Sequence, residues 1–330
     1  MPSPLPVIDV HAHAVLEGTM GTAGDAGPEL GGTPTAPWFR VGGYVLNGVR
    51  YRGSAFMDPD VRLAAMDAHG IDQQLLSPNP LTYFTHDPAP QVIDYCRAHN
   101  DELAALVARH PERFLGAAQL PMQDVTAALA ELRRATGVLG LTAAYVDTDP
   151  GGLALDDPSL DDFYACLVEL DVPLFVHPTS VGAGGPPDDP RLRRFDLDLL
   201  LGFAYQETLA VAALVFGGVL ERHPRLDVCL SHGGGGIQTL MGRFGRAAEK
   251  RAWASEALRR EGFASMLSRL WFDTHLHSNI ALAGLAEVVG TDRLVYGTNF
   301  AGWDADGPDE FPHLDPAVLS GNAARLLRLG

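Results

Sequence analysis

Short apolar runs rich in β-branched residues alternate along the chain with longer stretches whose apolar positions recur at helical spacing. The runs predict strands at 7–13, 73–77, 114–120, 139–144, 173–177, 226–232, 270–274 and 294–299. Between them lie amphipathic stretches such as "PAPQVIDYCRAHNDELAALVARHP" (88–111) and "VTAALAELRRATG" (125–137), the second closed by a glycine suited to a helix C-terminus. Eight strands, each followed by a helix, predict a (β/α)8 TIM barrel, and 330 residues fit one such domain spanning 1–330.

One region breaks the alternation. Residues 17–37 are rich in Gly, Pro and Thr and lead into "GGYVLNGVRYRG", where Asn47-Gly48 between two β-type runs predicts a two-residue hairpin turn. Residues 16–55 therefore form an insertion after the first strand. Either it is a lid at the catalytic mouth, or it is an inert surface loop.

The strand ends carry the chemistry. In "VIDVHAHA" (7–14) the side chains of a strand alternate faces, so His11 and His13 point the same way and Ala12 points away. A lone His-x-His balances evenly between a metal site and core histidines. Three further strand ends tip the balance, carrying His177 in "LFVHPTS", His232 in "VCLSHGGGG" and Asn299 in "LVYGTN". In a barrel these ends converge on one mouth. Neutral imidazoles suit zinc and other borderline divalent ions, and a catalytic site leaves one position for water. No lysine ends the fourth strand ("LGLTAAY"), so a carbamylated lysine bridging two metals is not available there, and one metal ion is expected.

Composition narrows the partners. The formal charge of −17 disfavours nucleic acid or an anionic membrane, and no uninterrupted apolar run approaches the roughly 18 residues of a membrane span. Cys96, Cys166 and Cys229 are widely spaced and read as reduced core residues. With no basic and apolar leader at the N-terminus, a cytoplasmic protein is expected. The "GGGG" at 233–236 lacks the Lys-Ser/Thr of a phosphate loop and reads as close backbone approach beside a substrate.

Taken together, "VIDVHAHA", "MDPDVRLAAMDAHGIDQQLLS" (57–77), "ERFLGAAQLPMQD" (112–124), "LFVHP", "GGVLERHPRLDVCLSHGGG" (217–235), "VYGTNF" and "GNAARLL" (321–327) resemble, in order, the blocks of the amidohydrolase superfamily. The branch resembled is that of aminocarboxymuconate semialdehyde decarboxylase. The resemblance implies that His11, His13 and His177 bind one divalent ion, zinc or alternatively manganese, with Asn299 completing the site. It further implies that His232 is the acid–base residue handling metal-bound water, that no organic cofactor is needed, and that the reaction is non-oxidative decarboxylation of a planar unsaturated or aromatic carboxylic acid. The same branch contains hydrolases and hydratases, which form the alternative.

At Asn299 the family has Asp. The amide is nearly isosteric but neutral, a weaker ligand and no proton carrier. Three readings stand: a natural site retuned around Asn, a catalytically impaired homologue that binds a small acid or a protein partner, or an inactivating substitution. Asp304 and Asp306 lie just beyond, either as surrogate carboxylates or as solvated loop acids.

An anionic substrate in a chain of this charge needs a cationic anchor. Arg50 and Arg52, at i and i+2 on the expected second hairpin arm, are candidates for binding substrate, with solvated hairpin charges as the alternative. Arg243 matches a family residue that reaches into the neighbouring subunit, which implies a homodimer. His275, in the second His-x-His of "WFDTHLHS", and the loop aromatics Phe84, Tyr83 and Trp303 are further candidates to face the substrate, with packing as their other reading.

Overall fold

The computed structural model describes residues 5–180, 189–305 and 314–329. Asp306, weighed above as a surrogate acid, lies outside the described residues.

Strand β1 (Ile8–Ala14) is followed by the insertion strands β2 (Glu29–Thr33), β3 (Ala36–Val41) and β4 (Tyr44–Asn47). The remaining strands are β5 (Gln73–Pro78), β6 (Phe114–Gln119), β7 (Ala143–Val146), β8 (Leu174–Val176), β9 (Val228–Leu230), β10 (Trp271–Asp273) and β11 (Leu294–Val295). Seven of the eight barrel strands fall within the apolar runs or a residue of them, and the fourth is displaced. They form one parallel sheet in the order β1-β5-β6-β7-β8-β9-β10-β11. The Val10 amide donates to Tyr296 O (2.9 Å), and Ala12 bridges to Phe300, which closes the sheet into a barrel. The expected fourth strand moves from 139–144 to β7, because the chain turns through Gly140 (φ 74°) before it becomes extended.

Two apolar layers hold the barrel. Ile8, Val10, Leu75, Tyr145, Phe175 and Trp271 pack inside it, while Leu103, Leu132, Leu167, Leu214 and Leu285 fill the space between strands and helices. β1 changes its inward face part-way along. Asp9 pairs with Gln74 and Ala12 already with Leu76, so β1 spends one residue more than β5. This β-bulge lets Ile8 and Val10 point into the lower barrel and His11 and His13 into its mouth; bulges re-aim side chains in this way. Simple alternation accounts for the two histidines facing together but not for the change of face below them.

The insertion differs from expectation. Its turn between β3 and β4 is at Gly42-Gly43, not at Asn47-Gly48; Asn47 ends β4, where the Gly48 amide donates to Pro37 O (2.8 Å). Two Gly-permitted positive-φ sites compete here, and Gly42 (φ 54°) closes the hairpin. β2, β3 and β4 make a three-stranded antiparallel sheet whose Phe39 and Val41 pack with Tyr51, Phe84, Val92 and Tyr95. The insertion is thus a packed wall, and no residue of it lines the pocket described below.

One stretch, Asp198–Phe216, is long and apolar enough by length and composition to cross a membrane (19 residues, mean hydropathy 1.7), beyond what the uninterrupted runs led us to expect. Its Gln206 and Glu207 are buried, 4% and 0% exposed, against the barrel. Cys96, Cys166 and Cys229 are buried and unpaired.

Candidate metal centre and pocket

His11 and His13 end β1, and His177 directly follows β8. Their Nε2 atoms converge: His11 to His13 is 3.2 Å and His13 to His177 is 3.3 Å. Ligands at about 2.1 Å from one tetrahedral ion lie about 3.4 Å apart; these two edges match that spacing, and all three ligand atoms lie within 4.8 Å of one another. Each ring is fixed from behind. His11 Nδ1 donates to Asp273 Oδ2 (2.7 Å), His13 Nδ1 to Pro78 O (2.9 Å) and His177 Nδ1 to Pro178 O (2.6 Å). Such outer hydrogen bonds set the tautomer and leave Nε2 as a lone-pair donor. All three rings are buried, and burial, followed by the neighbouring imidazoles, holds His11 and His177 well below the usual histidine pKa. Burial lowers His13 to about 3. Neutral imidazoles are the form that binds metal.

The floor beneath the triad is tied together by buried polar groups. Asp9 accepts from Thr298 N (3.1 Å) and Thr298 Oγ1 (2.8 Å), which joins β1 to the loop after β11. Burial pushes the Asp9 carboxyl up to about 6. Arg62 donates to His13 O (2.5 Å) and Gln74 Oε1 (2.9 Å).

His232, two residues after β9, lies beside the triad, its ring centroid 5.0 Å from those of His11 and His177. Its Nδ1 donates to Glu207 Oε1 (2.7 Å), a fully buried carboxyl on helix Phe203–Phe216. Burial lowers His232 to about 4, partly offset by Asp273 and Asp304, and pushes Glu207 well above the carboxylate range. His232 (φ 45°), His277 (φ 48°) and Asn299 (φ 48°) all adopt left-handed backbone conformations. Such conformations cost about 1–3 kcal/mol each and collect where a site dictates geometry.

Above these residues opens a pocket of about 310 Å³, a size suited to a small ligand. His232, His275, His277, Asn299 and Asp304, with Glu207 and Gln238, supply its polar lining, and Phe203, Leu276 and Trp303 are among its apolar walls. The structure therefore brings His275 and Trp303 into one pocket with His232, next to the buried triad. His275 is 2% exposed, while Trp303 is 70% exposed at the rim. Asn299 reaches the pocket too, but its Nδ2 donates to Asp304 Oδ1 (2.7 Å), leaving only Oδ1 to offer an ion.

Other expected residues lie elsewhere. Arg50 and Arg52 are on an irregular segment after β4, not on a hairpin arm, and neither lines the pocket. Both are exposed, and Arg52 makes a two-pronged ion pair with Glu17 (2.9 and 2.5 Å), so the one-face argument for them fails. Phe84 is 1% exposed and packs edge-on against Tyr95 (4.8 Å), which makes it part of the insertion's core and not a substrate contact. Tyr83 is likewise buried with the interior of the barrel. Arg243 is exposed on helix Ile237–Lys250 and does not line its own chain's pocket.

Glu207 and Asp304 are the residues that sequence reasoning missed or undervalued. Glu207 lies in an apolar helix 25 residues before His232, with no motif to mark it. Asp304 was read as either a surrogate carboxylate or a solvated loop acid, and it turns inward because His275 and Asn299 receive it.

A barrel with three convergent neutral imidazoles at its mouth and an acid–base histidine alongside defines the metal-dependent amidohydrolase type of site. Residues 8–329 match the family model described as Amidohydrolase, and the chain belongs to that family. It is 30% identical over 243 residues to 2-amino-3-carboxymuconate-6-semialdehyde decarboxylase of Dictyostelium discoideum, covering 74% of this chain and 66% of that protein. It is 30% identical over 257 residues to gamma-resorcylate decarboxylase of Rhizobium radiobacter, covering 73% of this chain and 76% of the relative. Among solved structures, a 2,6-dihydroxybenzoate decarboxylase in complex with 2,6-dihydroxybenzoate superposes with a TM-score of 0.77 at 26% identity, covering 98% of this chain and 100% of that one.

Proposed function

We propose that this chain is a metal-dependent carboxy-lyase that removes the carboxylate of a planar aromatic or unsaturated acid. The observation that carries the reading is the convergence of three Nε2 atoms beside His232, which itself lines a pocket walled by Phe203 and Trp303. His11, His13 and His177 would hold the ion, zinc or manganese, which would supply Lewis-acid polarisation of a substrate oxygen when bound. The relatives named above act on small carboxylic acids, and a ring of that size suits a pocket of about 310 Å³ walled by Phe203 and Trp303.

His232 moves the proton. Neutral at rest, it takes up a proton at Nε2 while Glu207 holds its Nδ1, then gives that proton to the ring carbon bearing the carboxylate. The proton comes from solvent through His232, and a π pair of the substrate forms the new C–H bond; the C–C bond to the carboxylate then breaks, CO2 leaves, and that bond's electron pair restores the π system. General acid–base catalysis of this kind contributes about 10²- to 10⁴-fold. The complete outer hydrogen-bonding of the triad favours a working site retuned around Asn299 over an impaired homologue. A homodimer in which Arg243 of one chain enters the other's pocket completes the proposal, with the buried unpaired cysteines in keeping with a reducing cytoplasm.

The test is incubation of chelator-free protein with a panel of hydroxybenzoates and unsaturated diacids, with CO2 trapped and products identified by mass. Release of CO2 equimolar with the decarboxylated product, lost in His232→Ala, supports the reading. Hydrated or hydrolysed products without CO2 overturn it.

A further inference from the structure

A second convergence of ligand atoms lies beside the first. His275 and His277 follow β10, and Asp304 comes from the loop after β11. His275 Nε2 is 3.1 Å from His277 Nε2 and 3.1 Å from Asp304 Oδ2, and His277 Nε2 is 3.4 Å from the same oxygen. These three edges match the spacing of about 3.4 Å between ligands on one tetrahedral face. Protons serve them poorly. If each Nε2 carries a proton toward Asp304, the two nitrogens face each other as donors; if only one does, another edge pairs two lone pairs. A cation satisfies all three edges at once.

We propose that His275, His277 and Asp304 form a second divalent-cation site, adjacent to the histidine triad and on the wall of the same pocket. The His275 ring centroid is 5.7 Å from that of His11 and 5.5 Å from that of His232, so the second site lies beside the first, and His232, which borders the triad, lines the same pocket as His275. Two imidazoles and one carboxylate suit zinc, manganese or a similar ion and leave a position open to the pocket.

The site gives the departure at position 299 a purpose. Asn299 Nδ2 donates to Asp304 Oδ1, which aims Oδ2 at the two imidazoles. An aspartate there would set two carboxylates against each other, an arrangement that expels charge from one of them. The turn that returns Asp304 to the pocket is as tight as a glycine allows: a Cβ on Gly302 would lie 2.7 Å from Asn299 Nδ2 and from Asn299 O. Asn299 is therefore a positioning residue for Asp304. The second ion also supplies what the pocket lacks, because among the described residues no arginine or lysine lines it in a chain of charge −17. The anchoring of a substrate carboxylate by this ion rests on the carboxy-lyase reading; occupancy of the site does not.

The test is metal stoichiometry. Protein stripped with a chelator and desalted is titrated with Mn2+ or Zn2+ and read by native mass spectrometry and by elemental analysis against protein concentration. Two ions per wild-type chain are expected, falling to one in His277→Ala and, separately, to one in His13→Ala. Asp304→Asn weakens the second equivalent at least 100-fold. His277 has a side chain 39% exposed, so its removal leaves the fold intact, and a thermal melt checks that. One ion per chain, lost in His13→Ala and unchanged in both His277→Ala and Asp304→Asn, overturns this inference while leaving the triad reading standing. One ion that survives His13→Ala and is lost in His277→Ala does the reverse.

Discussion

The two histidine clusters at the barrel mouth are built from similar side chains on different supports. His11, His13 and His177 stand on or directly after strands, are 1% to 4% exposed, and each ring has its Nδ1 tied to an acceptor on the frame. His275, His277 and Asp304 stand on loops, and their geometry depends on one amide, Asn299, and a turn at Gly302. The first cluster is set by the barrel itself, and the second by a handful of local bonds. A strand-mounted site should keep its geometry through changes in the loops, whereas a loop-mounted one is open to adjustment by single substitutions.

The largest way to break that contrast is His13→Ala. His13 Nε2 touches both other members of the triad, so its loss removes the middle of the ligand face. Outer hydrogen-bond partners of metal ligands are each worth roughly 10- to 100-fold in affinity or activity, and a ligand itself exceeds that. The expected result is a fall of more than about 100-fold in affinity at the triad and in turnover, measured by metal titration and steady-state assay. Retained affinity at the triad would mean that the strand-mounted cluster is a packed histidine core.

Glu207→Gln makes a smaller and more selective cut. Burial pushes the Glu207 carboxyl and the His232 imidazole toward their neutral forms, and a proton gained by His232 at Nε2 favours loss of the carboxyl's own proton, so that the charged ring faces a carboxylate. Glutamine keeps an acceptor for Nδ1 but removes the negative partner, so the protonated ring loses support. Turnover is expected to fall about 10- to 100-fold with KM and metal content unchanged. The alkaline limb of the pH–rate profile should move to lower pH, since a less stabilised imidazolium, the form that donates the proton, gives it up more readily. An unshifted limb would leave Glu207 as packing only.

Legibility in the sequence follows the same division between strand and loop. The apolar runs located seven of the eight barrel strands closely because burial on both faces writes itself as a run of apolar residues, while the fourth was displaced by the turn at Gly140; His11, His13, His177 and His232 were legible because they sit at the ends of those runs. The bulge between Asp9 and Ala12 was not, since one extra residue leaves the apolar pattern almost unchanged. Arg50 and Arg52 were misplaced with the hairpin turn, where Gly42-Gly43 and Asn47-Gly48 are equally acceptable to the local chain. Asp304 and Glu207 belong to the site through contacts 29 and 25 residues away, which no local pattern encodes.

His99 offers the finest comparison, a histidine as deeply buried as the triad but with no converging ligands. It lies on helix Ala89–Arg109, is 1% exposed, and has no partner for Nε2 among the described residues; its Nδ1 is 3.5 Å from Asn100 Oδ1. Burial lowers it to about 4, against about 6.5 in an unfolded chain. Between those values the unfolded state binds the proton that the folded state refuses, so stability falls as pH drops from about 7 toward 4. His99→Leu removes the titration, and the gap in unfolding free energy between variant and wild type should shift toward the variant by about 1–2 kcal/mol from pH 7 to pH 5. Urea midpoints of metal-free protein at the two pH values measure it. A gap that does not change with pH would mean that His99 takes up its proton while folded, and that burial alone does not keep an imidazole neutral in this barrel. The neutrality of the triad would then rest on its outer hydrogen bonds and its neighbouring rings.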